Sequence, residues 1–118
     1  MVAVLEVGSS GVSETFRALG DPVRASIVEH LSTRGDATVN ELAALFPISL
    51  QAVSKHIKVL ESAGVVTQRR DGRHRPVHLE PRRVAAATAW LVGRTSELDA
   101  RLARLDDVLA RLQEDDRS

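Results

Sequence analysis

The sequence predicts a mainly α fold: about five helices, one two-stranded β-hairpin and a long last helix. Three features predict it. Apolar residues recur at helical spacing through most of the chain. One two-residue hairpin signal, Asp71-Gly72, separates two short extended runs. Leu91, Leu98, Leu105 and Leu112 repeat every seven residues, with Leu102 and Leu109 filling the four-residue steps. That last spacing is the a/d seam of a helix that pairs with another.

The elements follow in order. Residues 1–12 contain Gly8-Ser9-Ser10-Gly11 and read as a flexible N-terminus. A first short helix carries Phe16 and Leu19 and stops at Gly20. Asp21-Pro22 opens the second, with Asp as N-cap and Pro in the first turn. Val23, Ile27, Val28 and Leu31 form its buried stripe, and Gly35-Asp36 ends it. Thr38-Val39-Asn40-Glu41 has the form of a capping box and starts a short helix over 41–46. Pro47 cannot continue that helix, so the chain turns there. Ser49 caps the next helix, which runs to Gly64. Two helices joined this tightly pack at a steep angle, as in a helix-turn-helix, here over 38–64. Val65 to Arg70 and Arg73 to Glu80 are the strands of the hairpin, and Pro76 places part of the second at a sheet edge. Residues 82–113 form the last helix, and 114–118 an acidic tail. The whole of 13–113 is read as a single domain, since 118 residues allow one core and not two.

Composition excludes several functions. There is no Cys, which removes disulfides, thiolate metal sites and a cysteine nucleophile. The apolar runs are too short to span a bilayer. Met1 to Leu5 lacks the basic start and apolar stretch of a secretory signal. A cytoplasmic location without membrane contact is therefore expected. The 16 basic and 16 acidic side chains cancel, but not locally. Residues 1–48 carry net −3, residues 49–83 net +5 and residues 84–118 net −2.

The positive third holds the candidate site. On a helical wheel at about 100° per residue, Val53, Ile57 and Leu60 of the 49–64 helix fall together, flanked by Ala52, His56, Val59 and Ala63. Gln51, Ser54, Lys55, Lys58, Glu61 and Ser62 fall on the opposite arc. Short hydroxyl and amide side chains hydrogen-bond base edges, and Lys takes phosphates or guanine. Ser49, Gln51, Ser54, Lys55 and Lys58 are therefore candidate contacts to the major groove of double-stranded DNA. A solvated helix face would look the same, and the hairpin separates the two readings. Arg69, Arg70, Arg73 and Arg75 surround its tip. Four Arg around one turn repel one another unless a polyanion is present, whereas an edge strand needs only one or two charges for protection. Arg70, Arg73 and Arg75 are the candidate minor-groove or backbone contacts. A groove-reading helix followed by a basic hairpin is the winged helix-turn-helix arrangement, with the wing over 65–80.

These residues carry a resemblance. Ala18-Leu-Gly-Asp-Pro-Val-Arg24, Thr38-Val-Asn-Glu-Leu-Ala43, Ser49 through Val66 with its Ser-Lys-His-Ile-Lys-Val-Leu-Glu-Ser-Ala-Gly core, and Arg69-Arg-Asp-Gly-Arg73 resemble the ArsR-type family of bacterial transcriptional repressors. The match runs in order through residues 14 to 80. It implies a homodimer joined through the first and last helices and a palindromic operator, with Phe16, Leu91, Leu98, Leu102, Leu105 and Leu109 at the dimer interface. The leucine seam fits that interface independently. A helix of some 30 residues is about 45 Å long, more than a small domain can cover. The resemblance also implies effector sites that this chain lacks. Glu41-Leu-Ala-Ala-Leu-Phe46 offers no soft metal ligand, and no His follows His78. The expectation is a metal-independent, cofactor-free, autoregulatory repressor whose small-molecule effector, if any, is unknown. The alternative is a protein-interaction module acting through the leucine-rich helix. No nucleophile or acid–base pair supports an enzyme.

Other polar residues read as structural. His56 is expected to pack and bond to nearby backbone. Arg24 is expected to tie the helix-turn-helix together by a salt bridge. His74 and His78 share a strand face without a third metal ligand, and Arg82 and Arg83, unfavourable at a helix N-terminus, hint at an external anion.

Overall fold

The computed structural model describes residues 11–70 and 72–117. The expected flexible segment lies almost wholly outside the described residues, as do Asp71 of the hairpin signal and Ser118. Among the described residues the chain forms five helices and a three-stranded antiparallel sheet. The helices are α1 (Val12–Leu19), α2 (Pro22–Arg34), α3 (Val39–Ala43), α4 (Leu50–Ser62) and α5 (Pro81–Arg117). The strands are β1 (Ala37–Thr38), β2 (Val66–Gln68) and β3 (Pro76–Leu79).

Local chemistry sets the boundaries. The Asp21 carboxylate accepts from the amides of Val23 at 2.9 Å and Arg24 at 3.1 Å, and Pro22 occupies the first turn of α2. At α3 both halves of the capping box form. The Glu41 amide donates to the Thr38 hydroxyl at 3.2 Å, and the Thr38 amide donates to the Glu41 carboxylate at the same distance. The Ser49 hydroxyl accepts from the Ala52 amide at 3.1 Å to start α4. Gly64 ends α4 in the left-handed conformation, φ +77°. Its amide bonds the Glu61 carbonyl and that of Val65 bonds Leu60, the pair of bonds of a Schellman stop.

Three boundaries differ from the sequence expectation. α3 ends at Ala43, and only single-turn bonds from Leu45 to Leu42 and from Phe46 to Ala43 continue it before Pro47. The wing strands are shorter than expected, and a third strand, β1, joins them in the order β1-β3-β2. β3 is therefore central, not an edge. Pro76 is tolerated because it is the first residue of β3, opposite Thr38, where its carbonyl still accepts from the Arg69 amide at 3.1 Å. α5 runs to Arg117 and takes in Glu114–Asp116, which were expected as a separate tail.

The chain divides into two units, 1–87 and 88–118, with the boundary inside α5, so the expected 13–113 domain is described in two parts. In the first, Ile27, Leu31, Leu42, Val53, Ile57, Leu60, Val65, Val66 and Val77 make an aliphatic core, with Phe46 packed at its margin. No buried side-chain nitrogen or oxygen among the described residues lacks a hydrogen-bond partner. In the second unit, Leu91, Leu98, Leu102, Leu105, Leu109 and Leu112 are exposed.

Candidate nucleic-acid interface

α4 is divided along its length as the wheel predicts. Val53, Ile57 and Leu60 are fully buried, and Gln51, Lys55 and Lys58 are exposed, with Ser54 half-buried between them. The core side fixes the helix, so the polar side is a rigid face rather than a flexible one. Val59 departs from the expectation. It is exposed and forms, with Ala18, Ala63, Glu14, Arg17, Lys58 and Ser62, a shallow apolar cleft of about 330 Å³ between α1 and the end of α4.

The wing brings its cations to that face. Arg69, Arg70, Arg73 and Arg75 are all exposed. Lys58 and Glu61 of α4 line one cleft of about 440 Å³ together with Gln68, Arg69, Arg70 and Arg75. A second, of about 240 Å³, lies between the start of α3 and the wing. Thr38, Val39, Asn40, Arg73, His74 and Arg75 line it. Of the sequence-predicted site residues, Lys58, Arg70 and Arg75 thus meet in one crevice. Arg73 belongs to the other, while Ser49, Gln51, Ser54 and Lys55 lie along α4.

Sequence reasoning missed an apolar group beside the N-terminus of α4. Leu45, Ile48 and Leu50 are exposed around Ser49 and Gln51. The available signal was that Leu50 follows the cap directly and falls off the buried stripe. It also passed over Gln68 and gave Arg69, though counted among the wing cations, no contact of its own; the place of both in the crevice depends on the β2–β3 register.

The remaining polar residues brace this face. Arg24 does not form the expected salt bridge. Its Nε donates to the Ala18 carbonyl at 2.6 Å, and its Nη1 lies 3.2 Å from His56 Nδ1. His56 therefore bonds a side chain rather than backbone, and Asp21 stands 3.8 Å away on the same ring nitrogen. This joins the start of α2 to the middle of α4. The Arg24 amide hydrogen bond is the largest influence on the Asp21 carboxyl; desolvation, the next largest, opposes it, and the nearby His56 and the Val23 amide add to the lowering, so the group sits below its ordinary value. The Thr38 amide and hydroxyl lower Glu41 in the same way. His78 is held by Asp36 at 2.8 Å, away from any partnership with His74. Arg83, expected to point to an external anion, packs against the ends of two helices instead. A Cβ at Gly64 would come within 2.9 Å of its Nε, and one at Gly11 would overlap its guanidinium.

A buried-backed polar helix beside a basic β-hairpin is a nucleic-acid-binding geometry, and comparison with known proteins identifies its type. A family profile described as "Helix-turn-helix domain" matches residues 19–69. YuzN of Bacillus subtilis, an uncharacterized HTH-type transcriptional regulator, is 42% identical over an alignment of 66 positions that covers 51% of this chain and 72% of that protein. The solved structure of RHA00566, an ArsR family transcriptional regulator, superposes with a TM-score of 0.68 at 36% identity, covering 75% of this chain and 91% of that one. The chain belongs to the ArsR-type family. It is a DNA-binding transcriptional regulator of the winged helix-turn-helix class, and the ArsR-type proteins it resembles are regulators rather than enzymes. A further structure is the homodimeric winged helix-turn-helix DNA-binding domain of Mb0332 from Mycobacterium bovis. It has a TM-score of 0.60 at 25% identity over 81% of this chain and 84% of that one. No described helix is long and apolar enough to cross a membrane. Nor, among the described residues of this ArsR-type chain, do three His, Asp or Glu side chains come together as a metal-binding group.

Proposed function

We propose that the protein is a homodimeric, autoregulatory repressor that binds a palindromic operator in double-stranded DNA. The observation that carries this reading is the crevice in which Lys58 of α4 meets Arg69, Arg70 and Arg75 of the wing. One rigid surface there offers base-reading groups on the helix and phosphate-binding groups beside it. Gln51 and Ser54 read base edges in the major groove, Ser49, Lys55 and Lys58 grip it, and Leu50 lies against thymine methyls. Arg70, Arg73 and Arg75 hold the flanking backbone or minor groove. The exposed leucines of α5 and the homodimeric Mb0332 domain support a two-fold assembly, with Phe16 at the same interface. Two recognition helices then address half-sites about one helical turn, roughly 34 Å, apart. A dimer seated on such a site excludes polymerase, which is the simplest route to repression. No metal or cofactor is assigned to this function, and the site is consistent with a cytoplasmic protein.

Footprinting on the DNA upstream of the protein's own coding sequence tests this. The expected result is a protected inverted repeat whose occupancy is indifferent to added metal ions. The exposed leucine helix also supports reading the chain as a protein-interaction module. Reversing the charge of Lys55 and Lys58 separates the two: regulation that survives the change makes DNA the wrong partner.

A further inference from the structure

The cleft between α1 and the end of α4 has no part in the DNA-binding function described so far. It lies within the first unit, residues 1–87. Its floor is apolar and comes from both helices. Ala18 of α1 joins Val59 and Ala63 of α4, which sit one helical turn apart on the same stripe. At about 330 Å³ the cleft is at the small end of the range for ligand sites, so it suits a compact molecule. Val59 is 42% exposed, and an apolar cover there removes hydrocarbon from water.

The rim supplies charge. Arg17 stands on the α1 side and Lys58 on the α4 side, both exposed. Among the described residues no ion pair engages either of them, including with Glu14, the one acid of the lining. Two cations against one carboxylate favour an anionic ligand. Arg offers a planar fork that a carboxylate fills with two hydrogen bonds, and the Ser62 hydroxyl is a further donor at the same rim. A carboxylate on a short hydrocarbon body matches this set. Phe16, the α1 residue of the proposed dimer interface, lies about 160° round the helix from Glu14 and Ala18. Pairing through Phe16 therefore uses the other side of α1.

Lys58 also lines the crevice with Arg69, Arg70 and Arg75. The two sites share one ammonium, and its flexible stem can serve either of them. On α4 the cleft continues the exposed stripe, since Lys55, Val59 and Ser62 follow at spacings of four and three. A ligand in the cleft stands at the edge of the surface that α4 offers to DNA.

We propose that this cleft binds a small organic carboxylate with an apolar body, and that the bound anion draws Lys58 away from DNA. The second half rests on the DNA-binding reading, and the first half does not.

Equilibrium dialysis of labelled octanoate against the full chain, without DNA, tests the site. Saturable binding of one octanoate per protomer is expected. Acetate, which lacks the body, should not compete, and octanol, which lacks the charge, should compete at least tenfold more weakly. Arg17→Gln should weaken binding about tenfold, and Val59→Glu, which puts a like charge on the floor, should abolish it. Both side chains are exposed, so both variants are expected to fold, which thermal melting checks. Equal competition by octanol and octanoate, or undiminished binding in both variants, overturns the site. Fluorescence anisotropy with a random-sequence duplex tests the coupling. Octanoate should release DNA from the parent with a midpoint near its own dissociation constant, and should release none from Val59→Glu. Octanoate binding without release of DNA overturns the coupling alone. A chain that binds octanoate but no DNA overturns the regulator reading and the coupling with it, and leaves the site standing.

Discussion

Arg70 and Arg73 flank the tip of the wing and are both exposed. Replacing both with Ala should therefore leave folding within about 0.5 kcal/mol of the parent. Its effect on DNA is expected to be large and of a particular kind. Each phosphate contact adds about 0.9 to the slope of log affinity against log salt. Two Arg per protomer, doubled in a dimer, set an upper bound of about 3.6 on the slope that the change removes. Between 50 and 200 mM salt the parent should then lose on the order of 150-fold more affinity than the variant. Fluorescence anisotropy with a labelled random-sequence duplex measures this directly, because phosphate contacts carry no base preference. Gln51→Ala in the same assay should leave the slope unchanged and instead narrow the gap between operator and random DNA. A slope that falls by less than about 1 in the double variant, or by as much with Gln51→Ala, would refute the division of labour between wing and helix.

Three further outcomes follow from the same geometry. Ile57 is fully buried, so Ile57→Val should cost about 1 kcal/mol in urea denaturation, while Lys58→Ala next to it should leave stability unchanged and weaken DNA binding. Asp21→Asn keeps an N-cap acceptor but removes the charge. The Asp21 carboxyl is depressed in the folded state, so its contribution is present above the usual carboxylate pKa and lost as pH falls through the folded value. The variant should be less stable than the parent at neutral pH, with the gap closing below about pH 4; a gap that persists at pH 3 contradicts the assignment. Leu50→Ala should lower operator affinity without lowering affinity for random DNA, because a methyl contact specifies bases and does not neutralise phosphate.

How much of this was legible depended on the range of the interaction. The caps at Asp21, Thr38 and Ser49 and the stop at Gly64 involve residues within a few positions of one another, and the sequence alone places them correctly. So does the buried side of α4, whose period of 3.6 is a local property. β1 was not legible. It is two residues long and exists because Ala37 pairs with Val77, forty positions away. Similar separations hid the partners of Arg24, His56 and His78: Arg24 was expected in a salt bridge and His56 on nearby backbone, whereas the two bond each other, and His78 bonds Asp36. The length of α5 was missed for another reason. Glu114–Asp116 are unfavourable near a helix C-terminus, yet no Pro or terminal Gly is present to break the helix, so it continues.

The zero net charge of the chain says little about its affinity for DNA. Screening confines exposed charges to about 8 Å at physiological ionic strength. A phosphate at the wing therefore senses the local group of cations around Lys58, Arg69, Arg70 and Arg75 and not the acidic segments before and after it. What the compensating acids at 1–48 and 84–118 do affect is the encounter at longer range, where a neutral protein gains little steering. Binding strength and association rate should respond differently to salt in consequence. Removing wing arginines changes the first, whereas neutralising an acid outside residues 49–83, such as the exposed Glu29, should raise only the on-rate at low salt. Stopped-flow association at 20 and 200 mM salt distinguishes the two contributions. Equal acceleration by that neutralisation at both salts would mean that the acids act at contact distance, and that the positive third is not electrically isolated from the rest of the chain.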